Sequence, residues 1–428
     1  MYRIIKVAEY ERIFIRDYFS EEKKFITQEQ ASLLRKNEKK LGKKVFEWSY
    51  DFLTPINWVG VFIIPGLQVE IFPKLDSDED ADKLRDELLF MLSYTRRVPY
   101  RITNEGEFKK SKDSLLEIYI KVFIRKVNEI IKQGLFNGYN LKTANENFQK
   151  GKLLIQKQIT FNQLRKEKFY VAYEELTENN LLNMIVKATI DLLFTRTMSL
   201  KNKSDLIILR NILSSIDTRK FNKNLIKRVK YNRLNKYYKE VIDLSKLFWN
   251  YDAPSLNSGN NISTIGLLFD MNKVFESFII QSLLIFSEKL TEKSYEVQRQ
   301  IKSKYLFQDN KNKNLFKLKP DIILKNVHTD SPELIIDTKW KLLDTRKENL
   351  GISQSDIYQM YAYAREYNVN NLVLLYPFHK DLNVELPIFT NESMREMITL
   401  KVKTIDLYSV SNNFNDVYKQ QLFNIISN

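Results

Sequence analysis

Two short apolar runs near the C-terminus, KPDIILK (319–325) and LIIDTKWK (334–341), each contain an aspartate. The short loop between them favours adjacent antiparallel strands. Side chains alternate across a strand, so Asp337 and Lys339 are expected on one face, with Asp321 at the start of the neighbouring strand. A buried, unpaired charge is costly or is neutralised. These three charges therefore either pair with one another as a structural feature or bind something.

The two carboxylates and the ammonium group suit metal-dependent chemistry on phosphate esters. Mg²⁺ and Mn²⁺ prefer carboxylate oxygens, and such an ion activates water and stabilises charge that develops at phosphorus. Lys339 can position or help deprotonate that water and can offset the negative charge. We therefore expect Asp321, Asp337 and Lys339 to hydrolyse phosphodiesters. A zinc site is not expected, because the chain has no cysteine and its two histidines are isolated.

The net charge favours a polyanionic partner. The 428 residues carry 68 Lys and Arg against 53 Asp and Glu, a formal charge of +15. This balance suits nucleic acid better than an anionic membrane. The alternative explanation is an AT-rich coding bias that fills surfaces with Lys and Asn.

One stretch, Arg219–Lys239, has many basic and aromatic residues and no acidic residue, and we call it the basic segment. Basic side chains neutralise phosphates and aromatic rings stack or pack, so the segment is predicted to bind DNA. The alternative is a solvated helix with an apolar stripe through Leu225, Val229 and Leu234. The candidate DNA-binding residues are Lys227, Arg228, Lys230 and Arg233.

The apolar patterns predict an α/β protein with three ranges. Residues 1–110 are expected to be mixed α/β, residues 111–254 mainly helical, and residues 255–428 a mixed sheet flanked by helices. The polar stretch DAPSLNSGNNIST (252–264) is the predicted linker before the last range.

Local patterns predict several elements within these ranges. The runs at 58–72, interrupted by Pro-Gly, favour a β-hairpin. Thr27 is the expected first residue of a capping box, and Ser77 the expected cap of a helix with an acidic first turn. Long apolar runs predict helices from Ile265 and over Asp356–Tyr367.

The chain is expected to be cytoplasmic and to bind no nucleotide. It lacks cysteine, its N-terminus has no signal-peptide pattern, and no apolar run approaches the ~18 residues that span a bilayer. No pair of glycines has the P-loop spacing followed by Lys and Ser or Thr.

The spacing of the charged residues resembles the PD-(D/E)XK nuclease motif, with fifteen residues between Asp321 and Asp337. Glu276 matches an acidic residue of the preceding helix in this superfamily, and Gln359 and Tyr363 match a QxxxY element of the following helix. Glu276 could instead cap or form a salt bridge, and Gln359 could be a polar surface residue. The catalytic residues that the resemblance implies are Asp321, Asp337, Lys339, Glu276 and Gln359. The metal ligands that it implies are Asp321, Asp337 and Glu276.

The wider chain resembles the McrC family, the nuclease subunits of modification-dependent McrBC-type restriction systems. The similar segments, in order, are GLQVEIFPKL, GLFNGY, YEELTENNLLNMIVKA, LFDMNKVFESF, PDIIL, IIDTKWK and DIYQMYAYA. The resemblance implies a type IV restriction endonuclease subunit that cleaves DNA with Mg²⁺. It also implies that the chain docks on an McrB-like AAA+ GTPase hexamer, stimulates it, and leaves recognition of the methylated base to that partner.

Under this resemblance, residues 1–110 dock on the partner, residues 111–254 connect, and residues 255–428 form the endonuclease domain. The hairpin at 58–72 is the expected anchor, because a rigid β element presents side chains at little ordering cost. Two alternatives stay open: a catalytically inactive DNA-binding adaptor on a nuclease fold, and an RNA-directed or standalone nuclease.

Overall fold

A computed structural model describes residues 3–16, 24–74, 81–95, 113–250, 252–253, 264–286, 290, 294–298, 304–391, 397–407 and 416–427. The chain divides into two compact units. Unit 1 contains Met1–Lys112 and Ala253–Asn428, and unit 2 contains Asp113–Asp252. Most of the predicted linker, and the predicted cap at Ser77 with its acidic turn, lie outside the described residues.

Unit 1 begins with short strands around a first helix. Its elements are β1 (Arg3–Ala8), β2 (Ile13–Ile15), β3 (Phe25–Ile26), α1 (Gln28–Leu41), β4 (Phe46–Trp48), β5 (Phe52–Pro55), β6 (Trp58–Ile64), β7 (Leu67–Phe72) and α2 (Ala81–Tyr94). Four strands form a sheet in the order β3-β2-β5-β4. The predicted capping box is confirmed: the Thr27 hydroxyl accepts from the Gln30 N–H, and the Gln30 side chain accepts from the Thr27 N–H.

The predicted hairpin is confirmed as the antiparallel pair β6 and β7. β1 pairs with β7 in parallel, and β12 (Thr264–Asp270) pairs with β6 antiparallel. Gly60 has a φ of +125°, and a Cβ added there would lie 1.9 Å from the Leu267 carbonyl oxygen, so only glycine allows this approach. All of β7 is buried, and so is β6 apart from half-buried Trp58. The side chains of these two strands are therefore not available to a partner, and docking through this hairpin stays a prediction.

The helix predicted from Ile265 begins later than expected. Residues Thr264–Asp270 form β12, and α8 (Met271–Ile285) follows it. Periodicity alone does not distinguish a short buried strand from a helix, and here pairing with β6 selects the strand. This pairing ties the C-terminal range to the N-terminal sheet, so the two ranges that the sequence separates belong to one unit.

The rest of unit 1 is a mixed sheet with helices. Its elements are β13 (Tyr295–Val297), β14 (Lys304–Gln308), β15 (Asn314–Leu318), β16 (Ile322–Asn326), β17 (Pro332–Thr338), α9 (Gln354–Tyr367), β18 (Asn371–Pro377), β19 (Ile388–Asn391), β20 (Ile398–Ile405) and α10 (Asp416–Ile426). The six-stranded sheet has the order β13-β16-β17-β18-β20-β19. The predicted antiparallel pair is confirmed as β16 and β17, and β17 pairs with β18 in parallel.

Helix α9 packs on this sheet through an apolar core. Met360, Tyr363 and Ala364 of α9 are buried in one cluster with Ile335 of β17 and Leu374 of β18. The Ser353 hydroxyl accepts from the Asp356 N–H and caps the helix start. The core therefore fixes one polar face of α9 beside the carboxyl end of β17.

Unit 2 combines helices with a small sheet. Its elements are α3 (Leu115–Gln133), β8 (Gly138–Glu146), β9 (Lys152–Leu153), α4 (Ile155–Asn162), β10 (Phe169–Thr177), α5 (Leu181–Phe194), α6 (Leu200–Ile212) and α7 (Lys239–Asn250), and the two-residue strand β11 (Asp252–Ala253) follows in the chain. The sheet has the order β8-β10-β9. The basic segment is not one helix: it has 3₁₀ turns at Lys223–Arg228 and Lys236–Tyr238 with irregular chain between them.

Among the described residues, no helix is both long enough and apolar enough to cross a membrane.

Candidate functional site

Asp321 and Asp337 lie on neighbouring strands, as the sequence predicts. Ile322 of β16 pairs with Ile336 of β17, so the residues beside them are adjacent across the ladder. Asp337 is only 2% exposed, and Asp321 is half-buried. The Asp321 Oδ2 accepts from the Thr338 N–H at 2.8 Å and from the Thr338 hydroxyl at 2.7 Å. These two bonds fix the Asp321 carboxylate against the end of β17.

Lys339 is the centre of the polar cluster. Its Nζ lies 2.8 Å from Asp337 Oδ2 and 3.1 Å from Asp356 Oδ1. The same ammonium donates to Gln359 Oε1 at 3.0 Å. The structure thus brings together the predicted Asp337, Lys339 and Gln359, and it adds Asp356, which the sequence analysis missed. Asp356 lies one helical turn before Gln359, and that spacing is the available signal.

Gln359 is held by a second bond. Its Nε2 donates to the Tyr363 hydroxyl at 2.6 Å, and that hydroxyl donates to the Lys319 carbonyl oxygen at 2.9 Å. The QxxxY element therefore links Lys339 to the chain just before Asp321. This arrangement favours a positioning role for Gln359 over an unattached surface position.

Both aspartates have a raised pKa. For Asp337, burial and then the charge of Asp321 raise the pKa to about 6, against the opposing effect of Lys339. For Asp321, burial and then the charge of Glu276 raise the pKa, while the bonds from Thr338 and the charge of Lys339 lower it. The site therefore concentrates more negative charge than Lys339 neutralises.

Lys339 is a cation at neutral pH. Burial lowers the pKa of Lys339, but Asp337 and Asp356 outweigh burial and raise it above the ordinary value. Of the two roles that the sequence leaves open for this lysine, the ammonium form suits charge stabilisation and orientation rather than proton removal.

Glu276 lies in the second turn of α8 and is half-buried. It is near enough for its charge to raise the pKa of Asp321. Within the described part of the chain, however, no three Asp, Glu or His side chains converge into a ready metal-binding group. The donor chemistry that fits a hard cation is the pair of carboxylates, Asp321 and Asp337, whose mutual repulsion such an ion would relieve.

A buried contact outside the motif supports the site from behind. The Trp340 indole N–H donates to Glu9 Oε2 at 2.8 Å, and the Trp340 ring lies 5.4 Å from the ring of Phe275, centroid to centroid. Phe275 precedes Glu276 in α8, and Trp340 follows Lys339. Burial, opposed by the bond from Trp340, raises the pKa of Glu9 to about 7. No sequence signal connects Glu9 to this site, because 331 positions separate it from Trp340.

The remaining predicted site residues lie in unit 2. Lys227, Arg228, Lys230 and Arg233 are all exposed on the 3₁₀ turn and the irregular chain of the basic segment. Leu234 is 74% exposed, so the apolar stripe of the alternative explanation does not form. Of the two histidines that the sequence gives no role in a zinc site, His379 is buried and forms a hydrogen bond with the Leu343 carbonyl oxygen at 2.7 Å.

Comparisons with known proteins find similar solved structures and a matching family. The chain is similar to a chain of the refined half-complex from the tetradecameric assembly of Thermococcus gammatolerans McrB AAA+ hexamers with bound McrC. The TM-score is 0.71 at 20% identity, and 99% of each chain is covered. A chain of the cryo-EM structure of the Thermococcus gammatolerans McrBC complex has a TM-score of 0.48 at 22% identity, with 66% of this chain and 87% of that chain covered. No curated protein matches significantly in sequence.

At 20% identity the structural similarity shows the fold alone. The family comparison is more specific, because the family described as "McrBC 5-methylcytosine restriction system component" matches residues 53–377, which is most of the chain. The chain therefore belongs to the McrBC family of restriction system components.

Proposed function

We propose that this chain is the DNA endonuclease subunit of a GTP-dependent, modification-dependent restriction system. The observation that carries the proposal is the position of Lys339 between Asp337, Asp356 and Gln359, with Asp321 on the adjacent strand. Family membership supports a restriction system subunit. The order of α8, β16, β17, α9 and β18 is similar to the PD-(D/E)XK arrangement and supports a nuclease within it.

Asp321 and Asp337 would hold Mg²⁺ or Mn²⁺, and Glu276 is the proposed third acidic residue. Such an ion would activate water and stabilise the negative charge that develops on a phosphodiester during hydrolysis. Lys339 contributes positive charge at the same place, where low solvent access strengthens it. Asp356 and Gln359 hold the ammonium group in position, so they act through Lys339.

The proposed partner is an McrB-like AAA+ GTPase hexamer. Family membership and the similarity to a chain from an assembly of McrB hexamers with McrC support this partner. The chain has no P-loop motif of its own. We therefore assign nucleotide hydrolysis to the partner, and DNA cleavage in the cytoplasm to this chain.

The basic segment is a proposed second DNA contact. Its four candidate side chains are exposed, and its sequence has no acidic residue. Exposed Lys and Arg side chains that replace phosphate counterions give sequence-independent affinity.

A catalytically inactive adaptor is the second candidate function. The complete set of Asp321, Asp337 and Lys339, with Lys339 held by ion pairs on two sides, favours the nuclease. An adaptor without catalysis would have no need of two neighbouring carboxylates with raised pKa values, because those charges destabilise the fold.

Plasmid nicking with the partner, GTP and Mg²⁺ tests the proposal. We expect Asp321→Ala and Asp337→Ala to abolish nicking, because each removes an oxygen ligand. The matched control is Asp344→Ala, since Asp344 pairs with Arg346 outside the cluster. Nicking at the wild-type rate by either site variant would rule out the assignment.

A further inference from the structure

A hairpin formed by β14 and β15 precedes the candidate site in the chain. Among the described residues, its strands pair only with each other, and they form a two-stranded sheet apart from the six-stranded one. Most side chains of both strands are exposed, and only Leu318 is buried. A two-stranded hairpin with so little buried surface is marginally stable by itself. Its exposed side chains are therefore available to a binding partner.

The base of the hairpin is fixed to helix α9. The Lys304 ammonium donates to the Glu366 carbonyl oxygen and lies 5.2 Å from the centroid of the Tyr367 ring. At the other strand, the Lys319 carbonyl accepts from Tyr363, which also binds Gln359. The helix that orients Lys339 therefore also orients the hairpin.

The charged side chains of the hairpin and of the two residues after it are almost all positive. Asp309 is the only acidic residue between 304 and 320. Its carboxylate accepts from the backbone N–H groups of Lys311 and Lys313 at 2.8 Å each, so it closes the turn. Within the residues that the structure describes, the ammonium groups of the exposed lysines have no ion-pair partner. These lysines are Lys311, Lys313, Lys317 and Lys319.

Two phenylalanines stand among these lysines. Phe307 is 65% exposed and Phe316 is 68% exposed. Their ring centroids are 6.0 Å apart at an interplanar angle of 84°. Phe316 has a φ of +57°, which is an unusual conformation for a bulky residue. Residues in such conformations cluster at active sites and ligand-binding positions, and the ring of Phe316 is exposed to solvent.

The hairpin is close enough to the site to contact the same substrate. Seven residues lead from Asn314 to Asp321, and an extended chain rises about 3.3 Å per residue, so this span is at most about 23 Å. With a rise of about 3.4 Å per base pair, this corresponds to about seven base pairs of duplex DNA.

We propose that the β14–β15 hairpin binds the backbone of duplex DNA beside the scissile phosphodiester. The lysines contact phosphates, and the phenylalanine pair packs against the sugars at the edge of a groove. The charge of the hairpin selects this occupant, since a polyanion neutralises four lysines that have no acidic partner. The inference rests on the proposed nuclease function, because it places the hairpin relative to a cut.

The first test measures binding of a 40-base-pair duplex by the full chain in Ca²⁺ at several salt concentrations. We expect Lys311→Gln with Lys313→Gln to flatten the log–log salt slope by up to about 1.8, since each phosphate that a lysine neutralises contributes about 0.9. The matched control is Lys36→Gln with Lys39→Gln, two exposed lysines on α1 that carry the same charge change. Equal slopes for the hairpin variant and the control would overturn the proposal, as would failure of the wild-type chain to bind the duplex.

The second test uses the absence of cysteine from the chain. A cysteine introduced as Asn310→Cys is labelled with an iron chelate. The chelate generates hydroxyl radicals, which cut nearby DNA. In the assembly with the partner and GTP, we expect these cuts within about eleven base pairs of the enzymatic cut, because the extended chain from Asn310 to Asp321 spans at most about 36 Å. Radical cuts that are absent or scattered, while enzymatic cleavage is intact, would overturn the hairpin assignment alone. Absence of enzymatic cleavage would instead refute the proposed function.

A third measurement separates DNA from a protein occupant. We expect Phe307→Ala with Phe316→Ala to weaken duplex binding severalfold and to leave the mass of the full chain in solution unchanged. A change in mass with unchanged duplex affinity would mean that the aromatic pair contacts a second copy of the chain, and it would overturn the proposal.

Discussion

Replacing Asp337 by asparagine is expected to stabilise the metal-free fold increasingly as the pH rises, although it removes a proposed catalytic group. The carboxylate is 2% exposed, and burial followed by the charge of Asp321 raises its pKa from the ordinary 3.8 to about 6. Below the lower value the group is protonated in both folded and unfolded chains. Above the higher value it is ionised in both, and the folded state carries the whole penalty of the buried charge.

The size of this penalty follows from the two pKa values. A tenfold change in proton affinity corresponds to about 1.4 kcal/mol, so the ionised carboxylate destabilises the fold by roughly 3 kcal/mol at pH 7.5. About half of this penalty develops between pH 5 and pH 7.5, where the folded carboxylate loses its proton. Asparagine also removes a partner of Lys339, which keeps Asp356 and Gln359. The cost of removing that partner is nearly constant with pH, because Lys339 stays protonated throughout.

The assay is unfolding of the full chain in EDTA at pH 5.0, 6.0 and 7.5. We expect the stability of Asp337→Asn relative to wild type to rise by about 1 to 2 kcal/mol across this range. Asp344→Asn is the matched control: Arg346 lowers the pKa of Asp344 to about 2, so its carboxylate is ionised in both states throughout. A difference for Asp337→Asn that is as flat as the control would refute the inference that this carboxylate is strained by burial. Adding Mn²⁺ should then raise the melting temperature of the wild type more than that of Asp337→Asn.

Three further predictions concern other parts of the chain. Burial raises the pKa of Glu9 to about 7, so at pH 8 the folded state carries a buried charge that Glu9→Gln would remove. The substitution should raise the melting temperature at pH 8 but much less at pH 5, where the carboxyl of the folded state is protonated. An equal effect at both pH values would contradict this. Changing the four candidate side chains of the basic segment to Gln should flatten the log–log dependence of DNA affinity on salt by roughly 0.9 for each phosphate that the segment no longer neutralises. Stimulation of the partner's GTPase should stay intact. An unchanged salt dependence would mean that the segment has no DNA role. The purified chain alone should hydrolyse neither GTP nor ATP, and turnover that survives removal of contaminants would contradict the division of labour with the partner.

The core of the candidate site could be predicted from sequence because its contacts are local. A short loop makes β16 and β17 adjacent, and alternation along a strand brings Asp337 and Lys339 together. Gln359 could be proposed from the family motif, but its bond to Lys339 depends on how α9 packs. Asp356 could be found only through its spacing of one helical turn from Gln359. The contact of Trp340 with Glu9 depends on packing alone and has no local pattern to reveal it.

The fold differs from expectation where pairing over a long separation decides the outcome. The apolar run of β12 fits either a helix or a strand, and its pairing with β6 settles the choice against the predicted helix. The strands of the β6–β7 hairpin are also buried, whereas their sequence alone suggests a rigid element that presents side chains to a partner. An experiment that separates the chain near residue 255 would break this sheet, so docking on the partner is better tested in the full chain.

The measurement that tests the central claim most directly is paired cleavage and GTPase activity in the reconstituted complex. Wild-type chain, an McrB-like partner, GTP, Mg²⁺ and a 5-methylcytosine-containing plasmid should give cleavage and stimulated GTP hydrolysis together. We expect Asp337→Asn to abolish cleavage while it keeps GTPase stimulation, because the proposed role of the site in unit 1 is DNA hydrolysis and not nucleotide turnover. Cleavage at the wild-type rate by this variant would contradict the claim that Asp337 and Asp321 form the nuclease centre.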